Sequence, residues 1–293
     1  MKVIIAGAGG LVGSATAGHF TTQGENVMAL DHAGLDISSE KNVNAVLDRE
    51  RPDVVINCAA WTDVDACELD YQRAVRANAL GPELLALGCR RVGALLITIS
   101  TDYVFDGEKH GFYTQRDQPN PLSKYAMSKL AGEQRAQQAW ARTIVVRSGY
   151  IFGEGGTNFL STFLARTQSG DTVKVVNDSF GTPTYAPHLA ARLYELARMD
   201  LPGLYHVVNS GAGASFEDFA RAALAITGRN SKLLESTNMA ALKRLAPRPK
   251  NSRLKCLLSD ALGLRPMPYW KDAVKSFVAG ETAPVAAQLG VPR

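Results

Sequence analysis

The amino-acid sequence predicts an α/β protein with a doubly wound parallel sheet and a smaller C-terminal lobe. Short apolar runs alternate with helical segments through the first half of the chain. The runs are apolar on both strand faces, as in parallel sheets that helices cover on each side. Beyond about residue 151 the alternation becomes irregular, and loops rich in Pro, Arg and Gly separate the elements. A second, less regular unit is therefore expected after the sheet.

The first half supplies the strands and helices of the sheet. The expected strands are residues 2–6, 26–31, 53–60, 95–100 and 143–147. The expected helices are residues 11–22, a segment capped by Ser38 or Ser39 that ends near Arg49, residues 74–92, and the segment that carries Tyr125. Gly81-Pro82 is expected to offset or kink the third of these helices. Ligands of such sheets bind beyond the carboxyl ends of the strands.

The second half predicts a smaller unit laid over the mouth of the sheet. Helices are expected over residues 158–169, 187–199 and 216–227, and strands over residues 173–176 and 204–208. The sequence therefore divides into residues 1–150 and residues 151–293. The stretch near residues 171–200 stays open between the two, because it could return to the main sheet.

Composition and charge exclude several classes of protein. The 32 basic and 28 acidic residues are interspersed and give a net charge of +4, without the basic run typical of nucleic-acid-binding proteins. No apolar stretch is long enough to span a bilayer, and the first apolar run is too short for a signal peptide. Cys58, Cys67, Cys89 and Cys256 show no C-x-x-C spacing and are expected to be reduced thiols. We therefore expect a cytoplasmic protein that binds neither nucleic acid nor membrane.

A glycine-rich loop follows the first strand and opens the first helix. Gly7-Ala-Gly9-Gly10-Leu-Val-Gly13 has the spacing G-x-x-G-x-x-G. Glycines there let backbone N–H groups approach a pyrophosphate, although a tight turn alone would also use them. Asp31 ends the second strand, where an acid suits the ribose hydroxyls of NADH, and no Arg or Lys follows at once. The sequence thus predicts a Rossmann-type domain that binds NADPH or NADH.

Tyr125 and Lys129 lie four residues apart in a predicted helix and share one helix face. A nearby ammonium is expected to lower the phenol pKa from about 10 by roughly 1–3 units, which makes Tyr125 a proton donor. Thr101 leaves the third continuous apolar strand at the ligand edge, where its hydroxyl could hydrogen-bond a carbonyl oxygen or close a turn. These residues predict reduction of a carbonyl by a reduced nicotinamide, with Lys129 also holding the nicotinamide ribose. A chance pair on a solvated helix face is the alternative.

The chain resembles the extended short-chain dehydrogenases/reductases, and among them the dTDP-4-dehydrorhamnose reductase family. The resemblance covers most of the chain and rests on GAGGLVG, NCAAWTDVDACE, STDYVFDG, YAMSKLAGE, FGTPTYAPHLA and RPKNSRL. It implies reduction of the 4-keto group of a dTDP-4-keto-6-deoxyhexose, with dTDP-4-dehydro-L-rhamnose the leading substrate. The catalytic set is then Thr101, Tyr125 and Lys129. Residues 1–150 become the NAD(P)-binding Rossmann domain, and residues 151–293 the nucleotide-sugar-binding lobe.

The resemblance also implies two sets of binding residues. Those for the cofactor are Gly7, Gly10, Leu11, Val12, Gly13, Asp31, Asp36, Ile37, Asn57, Ala59, Ala60, Tyr125 and Lys129. Those for the dTDP-sugar are Thr101, Asp102, Val104, Tyr150, Arg248, Asn251 and Ser252. Arg248 suits a diphosphate because the fork of a guanidinium matches phosphate oxygens, although a basic loop in solvent is the simpler interpretation.

Departures from the family pattern leave alternatives open. Asp102 is followed by Tyr103 instead of the glutamate usual in sugar 4,6-dehydratases, which favours simple keto reduction. Tyr150 stands where many relatives have Trp, so a related reductase that makes a different dTDP-deoxysugar is an alternative. Some relatives dimerise around magnesium through a glutamate on the helix after the glycine loop. Ser14-Ala-Thr16 stands there in this chain, so no metal is expected. A homodimer is a further expectation. The regulatory subunit of methionine adenosyltransferase shares the fold and is the non-catalytic alternative.

Overall fold

The structure is a computed structural model that describes residues 1–282 of the 293-residue chain. Residues 283–293 of the predicted C-terminal lobe lie outside the described residues. The strands are β1 (Lys2–Ala6), β2 (Asn26–Leu30), β3 (Val54–Asn57), β4 (Leu95–Thr101), β5 (Thr143–Ser148), β6 (Ile151–Phe152), β7 (Val173–Val176), β8 (Phe180–Gly181), β9 (Thr184–Tyr185), β10 (Gly203–His206), β11 (Ala214–Ser215) and β12 (Leu234–Thr237). The helices are α1 (Leu11–Thr22), α2 (Glu40–Glu50), α3 (Val64–Leu69), α4 (Tyr71–Val75), α5 (Gly81–Val92), α6 (Lys124–Ala139), α7 (Phe159–Gln168), α8 (Ala186–Met199), α9 (Phe216–Thr227), α10 (Leu257–Ala261) and α11 (Trp270–Thr282).

A six-stranded parallel sheet lies at the centre of the molecule, in the order β10-β5-β4-β3-β1-β2. Because β1 lies between β2 and β3, the chain builds the sheet first toward one edge and then toward the other. This confirms the predicted doubly wound α/β fold. A ligand crevice at such a switch point lies beyond the carboxyl ends of β1 and β3.

Successive residues of each central strand enter two different apolar cores. In β1, Val3 and Ile5 face a core that helices α1 and α8 close, whereas Ile4 and Ala6 face a core that α2 and α5 close. All four side chains are fully buried. The helical residues in the first core include Phe20, Leu189 and Leu193, and those in the second include Val43, Leu47 and Leu85. Burial on both faces explains why the strands are apolar throughout.

The helix predicted over residues 74–92 is present but irregular. It consists of α4, a π-helical segment Arg76–Leu80, and α5. Pro82 has no N–H to donate to the preceding turn, which accounts for the wider turn in front of it. The offset expected at Gly81-Pro82 is therefore confirmed.

A smaller lobe follows β5 and has an apolar core of its own. The core contains Phe152, Phe163, Phe219, Trp270 and Phe277. Pairs of short strands surround it, namely β6 with β9, β7 with β12, and β8 with β11. The lobe thus has the irregular architecture that the decay of the sequence pattern predicted.

The chain returns to the main sheet after this lobe has begun. Within the stretch near residues 171–200, β7 pairs with β12 in the smaller lobe, whereas α8 packs on the sheet core beside α1. β10 then extends the main sheet next to β5. The return therefore begins at Ala186, and the division of the chain at residue 150 stays a prediction.

Candidate active site

The glycine loop leaves room for a ligand because its glycines lie against backbone. Gly7 has a positive φ of 76°, and a Cβ there would lie 2.6 Å from the Ala59 nitrogen. A Cβ on Gly13 would lie 2.1 Å from the Gly7 carbonyl oxygen, so α1 can start this close to the loop only with glycine. No side chain caps the first turn of α1 at Gly10. The first N–H groups of α1 are therefore available to an anion, as a pyrophosphate requires.

A cavity of about 500 Å³ opens beyond the ends of β1, β2 and β3. The predicted cofactor residues that line it are Gly7, Gly10, Asp31, Asp36, Ile37, Ala59 and Ala60. The lining extends from the glycine loop to Asp36 and Ile37. The structure therefore brings most of the predicted cofactor residues together.

Six predicted cofactor residues lie outside the lining of this cavity, and three of them, Val12, Tyr125 and Lys129, line a second cavity described below. Gly13 packs behind the loop, and Leu11 lies beside Gly156 of the smaller lobe. The buried Asn57 donates to Thr98 Oγ1 at 3.1 Å, and its Oδ1 accepts from the Ala59 N–H at 3.1 Å. Asn57 thus fixes the backbone of the loop after β3 through Ala59. Its predicted contact with a cofactor stays a prediction.

The acidic residues of the cavity are tied to their own loop. Asp31 Oδ1 accepts from the Gly34 N–H at 2.9 Å. Asp36 Oδ1 accepts from the Ser38 hydroxyl at 2.7 Å and from the Ser38 N–H at 2.9 Å, and these bonds lower the pKa of Asp36. Both carboxylates are therefore fixed acceptors at the rim of the cavity.

Two arginines that the sequence analysis missed also line the cofactor cavity. Arg73 and Arg76 reach it from the irregular helix after β3, and the Arg73 guanidinium lies 4.5 Å from the Trp61 ring centroid. The buried Asn78 holds the Trp61 backbone by accepting from its N–H at 2.8 Å and donating to its carbonyl at 3.0 Å. The sequence analysis looked for basic residues directly after Asp31. Arg73 and Arg76 are distant from Asp31 in the chain, and they were therefore not predicted.

A second cavity, of about 290 Å³, opens beyond the ends of β4 and β5. Thr101, Tyr125 and Lys129 all line it. Cys58 and Ala60 line both cavities, so the two form one continuous cleft. The predicted catalytic set and the glycine loop therefore face the same cleft.

The structure does not show the predicted lowering of the Tyr125 pKa by Lys129. Burial raises the pKa of Tyr125 above its ordinary value, and the nearby Thr101 hydroxyl acts in the opposite direction. Lys129 Nζ donates to the Ile99 carbonyl at 2.7 Å, and burial lowers the pKa of Lys129 to about 8. Tyr125 is consequently protonated at neutral pH, which is the state that a proton donor requires.

A buried ion pair lies behind the catalytic residues. Glu133 accepts from Arg147 through both carboxylate oxygens, with one Nη2 to Oε2 distance of 2.6 Å, and both side chains are 4% exposed. Ser100 Oγ donates to Glu133 Oε1 at 2.5 Å, which joins the end of β4 to α6. Glu133 follows Lys129 by four residues, so the face of α6 that carries Tyr125 and Lys129 continues into this pair. That spacing was a signal that the sequence analysis did not use.

Asp102 is a buried carboxyl group at the base of the second cavity. It is 3% exposed, its Oδ2 accepts from Ser252 Oγ at 2.5 Å, and its Oδ1 lies 3.2 Å from Thr101 Oγ1. Burial raises its pKa to about 7, although the bonds to Ser252 and Thr101 act against this rise. The predicted residue Ser252 therefore meets the site through Asp102.

Tyr150 lines the second cavity in a fixed orientation. Its ring stacks on Phe216 with the centroids 4.2 Å apart, and its hydroxyl lies 3.1 Å from Ser179 Oγ. Its backbone φ of 48° lies in the left-handed region, which is uncommon for an aromatic residue. The cavity thus has a rigid aromatic wall where a sugar ring could lie.

Three predicted substrate residues make their contacts outside the second cavity. Val104 is fully buried in an apolar cluster with Phe105 and Leu254. Arg248 pairs with Asp65 at 2.7 Å, and Asn251 donates to the backbone carbonyls of Lys109 and Gly111. None of the three lines the second cavity, and their contact with a substrate stays a prediction.

Two further properties bear on the class of protein. Within residues 1–282, no cluster of three or more His, Cys, Asp or Glu side chains is arranged to hold a metal ion. None of the helices that the structure describes has the length and apolar character needed to cross a bilayer.

A Tyr-x-x-x-Lys helix beside a glycine-loop cleft, on a doubly wound sheet, is the arrangement of the extended short-chain dehydrogenases/reductases, and the chain has their fold. The family model described as the RmlD substrate binding domain matches residues 1–282. The dTDP-4-dehydrorhamnose reductase of Mycobacterium tuberculosis H37Rv is 36% identical over 284 residues, which cover 95% of this chain and 92% of that protein.

Two solved structures extend the comparison. A dTDP-4-dehydrorhamnose reductase from Clostridium acetobutylicum gives a TM-score of 0.93 at 34% identity, covering 97% of this chain and 100% of that chain. The dTDP-4-dehydrorhamnose reductase of Bacillus anthracis, solved in complex with NADP, gives 0.92 at 31% identity, covering 96% and 100%. The chain therefore belongs to the dTDP-4-dehydrorhamnose reductase family, which confirms the resemblance seen in its motifs.

Proposed function

We propose that the protein uses NADPH or NADH to reduce the 4-keto group of a dTDP-4-keto-6-deoxyhexose. The leading substrate is dTDP-4-dehydro-L-rhamnose, and the product is then dTDP-L-rhamnose. The observation that carries the proposal is the placement of Thr101, Tyr125 and Lys129 in one cleft with the glycine loop. Membership of the dTDP-4-dehydrorhamnose reductase family supports the same substrate class.

The cleft fits a dinucleotide at its glycine end. The uncapped start of α1 and the Cβ-free surface of Gly7 leave space and N–H donors for a pyrophosphate. Asp31 suits the ribose hydroxyls of NADH, whereas Arg73 and Arg76 bring positive charge to the same cavity. Both reduced cofactors are therefore expected to bind, and the NADP complex of the Bacillus anthracis relative agrees with this expectation.

Three side chains would carry out the proton chemistry. A reduced nicotinamide, when bound, supplies the hydride that the carbonyl carbon receives. Tyr125 is protonated and buried, so it can donate to the carbonyl oxygen as negative charge develops there. Thr101 lines the same cavity as Tyr125, and Lys129, one helical turn after Tyr125 in α6, donates to the Ile99 carbonyl of β4. A buried, preorganised donor of this kind stabilises the developing alkoxide.

The non-catalytic alternative, a regulatory subunit of the methionine adenosyltransferase type, has no specific support in the site. Such a role would not need Tyr125 and Lys129 to be buried and directed at the glycine-loop cleft. A related reductase with a different dTDP-deoxysugar product remains the competing activity, because Tyr150 replaces the usual Trp at the aromatic wall. The homodimer and the cytoplasmic location expected from the sequence stay predictions.

The decisive experiment adds dTDP-4-dehydro-L-rhamnose to the protein with each reduced cofactor. We expect oxidation of one cofactor per sugar and an NMR spectrum of dTDP-L-rhamnose. A different C4 epimer would support the alternative deoxysugar. No cofactor oxidation with this substrate or with other dTDP-4-keto-6-deoxyhexoses would contradict the proposed function.

A further inference from the structure

Two arginines line the cofactor cavity without an acidic partner. Arg73 lies in α4 and Arg76 begins the π-helical segment, so the two share one helix face, and Ala77 of this face also lines the cavity. Within residues 1–282, neither guanidinium takes part in a salt bridge or a side-chain hydrogen bond. This wall of the cavity therefore presents two positive charges whose N–H donors are free to bind a ligand.

The two arginines are spread along the cavity. The Arg73 guanidinium packs on the Trp61 ring, 4.5 Å from the ring centroid, and this contact leaves the N–H groups at its edge free. Arg76 lies toward the other end, because the turn that it begins leads directly to Gly81. A Cβ on Gly81 would lie 2.6 Å from Ile37 Cδ1. The turn that carries Arg76 is therefore packed against the loop after β2.

The loop after β2 borders the part of the cavity that suits the adenosine of a dinucleotide. The pyrophosphate of either cofactor is expected at the glycine loop, where no side chain caps the first turn of α1 at Gly10. The adenosine then extends toward Asp31, whose carboxylate suits the ribose hydroxyls. NADPH has one anionic group beyond the pyrophosphate, the 2′-phosphate on this ribose, and NADH has none. A cation at this end of the cavity therefore acts on NADPH alone.

Other ligands and other cations account less well for the two arginines. The dTDP-sugar is expected in the second cavity, and neither arginine belongs to the described lining of that cavity. His32 is the third basic side chain in the lining of the first cavity, but it lies 3.9 Å from Asp36 and is largely exposed. Arg73 and Arg76 are thus the cations best placed to bind a phosphate on the adenosine.

We propose that Arg76, assisted by Arg73, binds the 2′-phosphate of NADPH and makes NADPH the preferred cofactor, an inference that rests on the proposed function. The fork of a guanidinium bonds two phosphate oxygens at once. Asp31 and Asp36 carry negative charge in the same cavity, and each also accepts from an N–H of its own loop. The two arginines offset these two charges, so a phosphate can approach the ribose beside Asp31.

The test is a fluorescence titration with NADPH and with NADH in the absence of any sugar. Wild type should bind NADPH about tenfold more tightly than NADH, which is the contribution of a charged hydrogen bond. Arg76→Gln keeps a long side chain of good helix propensity but removes the charge and the fork. Its Kd for NADPH should rise about tenfold, while its Kd for NADH should stay within about twofold of wild type. Arg73→Gln should act in the same direction by a smaller factor.

Three controls separate a phosphate contact from a general effect of charge. Arg91→Gln makes the same change of charge outside the cavity, where Arg91 pairs with Asp48 at 3.2 Å, and it should leave both Kd values unchanged. Arg76→Lys keeps the charge without the fork and should retain part of the NADPH affinity. Added salt should weaken the binding of NADPH more than that of NADH in wild type, and both equally in Arg76→Gln.

Adenosine 2′-monophosphate is a further probe, because it carries the phosphate in question but no pyrophosphate. It should displace NADH from wild type, and much more weakly from Arg76→Gln. Equal loss of NADPH and NADH affinity in Arg76→Gln would place the guanidinium on the pyrophosphate or the adenine and would overturn the proposal. Unchanged affinity for both cofactors would also overturn it.

The titrations contain no keto-sugar, so the two proposals can fail separately. A protein whose NADPH affinity depends on Arg76 but which reduces no dTDP-4-keto-6-deoxyhexose would contradict the proposed function and support the phosphate site. A reductase that binds NADPH and NADH equally well would contradict the phosphate site alone. A protein that binds neither dinucleotide would overturn both.

Discussion

The two halves of the cleft are built by different means. At its glycine-loop end the cofactor half is made of backbone, because Gly7 and Gly13 leave space and no side chain caps the first N–H groups of α1. The substrate half is made of side chains from β4, α6 and the loop after β5. A backbone site depends on a short contiguous motif, whereas the chemistry of a side chain depends on burial and partners. The glycine-loop end of the cofactor half could therefore be predicted from the sequence, whereas the substrate half could be predicted only in part.

The largest expected effect belongs to the substrate half alone. Tyr125→Phe removes the proton donor but leaves the ring and its packing, so kcat should fall by about 10²–10⁴-fold. The Kd for NADPH, measured by fluorescence titration, should stay within about twofold of wild type, since such a residue acts mainly in the transition state. A variant that keeps full turnover would exclude Tyr125 as the donor, and equal loss of NADPH binding would show that the two halves are not separable.

The fold and the cofactor half could be predicted because each depends on local patterns. The strands from β1 to β5 are continuous apolar runs, and residues 7–13 form a contiguous glycine motif. Two-residue strands such as β6, β8, β9 and β11 show no period at all, and they were not predicted. Their pairing depends on contacts between segments that are distant in the chain.

The substrate half shows where sequence reasoning stops. Residue type placed Tyr125 and Lys129 on one helix face, but the pKa of Tyr125 is raised by burial, which the spacing cannot reveal. Arg248 has the right chemistry for a diphosphate, yet the fold places it against Asp65. The sequence predicted that Tyr125 and Lys129 face one cleft, which they do, but it did not predict their protonation states or hydrogen-bond partners.

The next largest effect tests how far the substrate half depends on buried charge. Glu133→Gln leaves the Arg147 guanidinium buried without a counter-charge, and such a loss costs about 3–5 kcal/mol of unfolding free energy. Urea denaturation of the variant and the wild type measures this difference. A loss below about 1 kcal/mol, the range of exposed pairs, would show that Arg147 finds another partner or water.

A smaller effect tests the cofactor half through two glycines of one helix. The Cβ of Gly13→Ala would meet the Gly7 carbonyl oxygen, and overpacking of this kind costs about 1–3 kcal/mol of unfolding free energy. Relief of the clash moves the glycine loop, so NADPH binding should weaken as well. Gly18→Ala is the matched control, because a Cβ there has no neighbour within 4 Å. It should leave NADPH binding unchanged and stabilise α1 by about 0.5–1 kcal/mol. Equal NADPH affinity in both variants would contradict the close approach at Gly13.

The smallest effect is expected at Arg248, where sequence and structure disagree about the partner. The Arg248 and Asp65 side chains are 11% and 41% exposed, and a partly solvated pair contributes about 0–1 kcal/mol. Arg248→Ala should therefore change both the unfolding free energy and the KM for the dTDP-sugar only slightly. The hydrogen bond from Arg248 lowers the pKa of Asp65 to about 2, so what the pair contributes is present above pH 4 and disappears as the pH falls toward 2.

Arg248→Ala should accordingly lose this acid-dependent part of its stability, which denaturation at several pH values measures. The same variant decides between the two partners of Arg248. A charged hydrogen bond to a diphosphate is worth about 1.5–3 kcal/mol, which is more than tenfold in KM. A KM that rises by tenfold or more would show that Arg248 leaves Asp65 to hold the substrate. The family motif would then have predicted the bound state correctly, and the side-chain half of the cleft would rearrange on binding while the backbone half stays fixed.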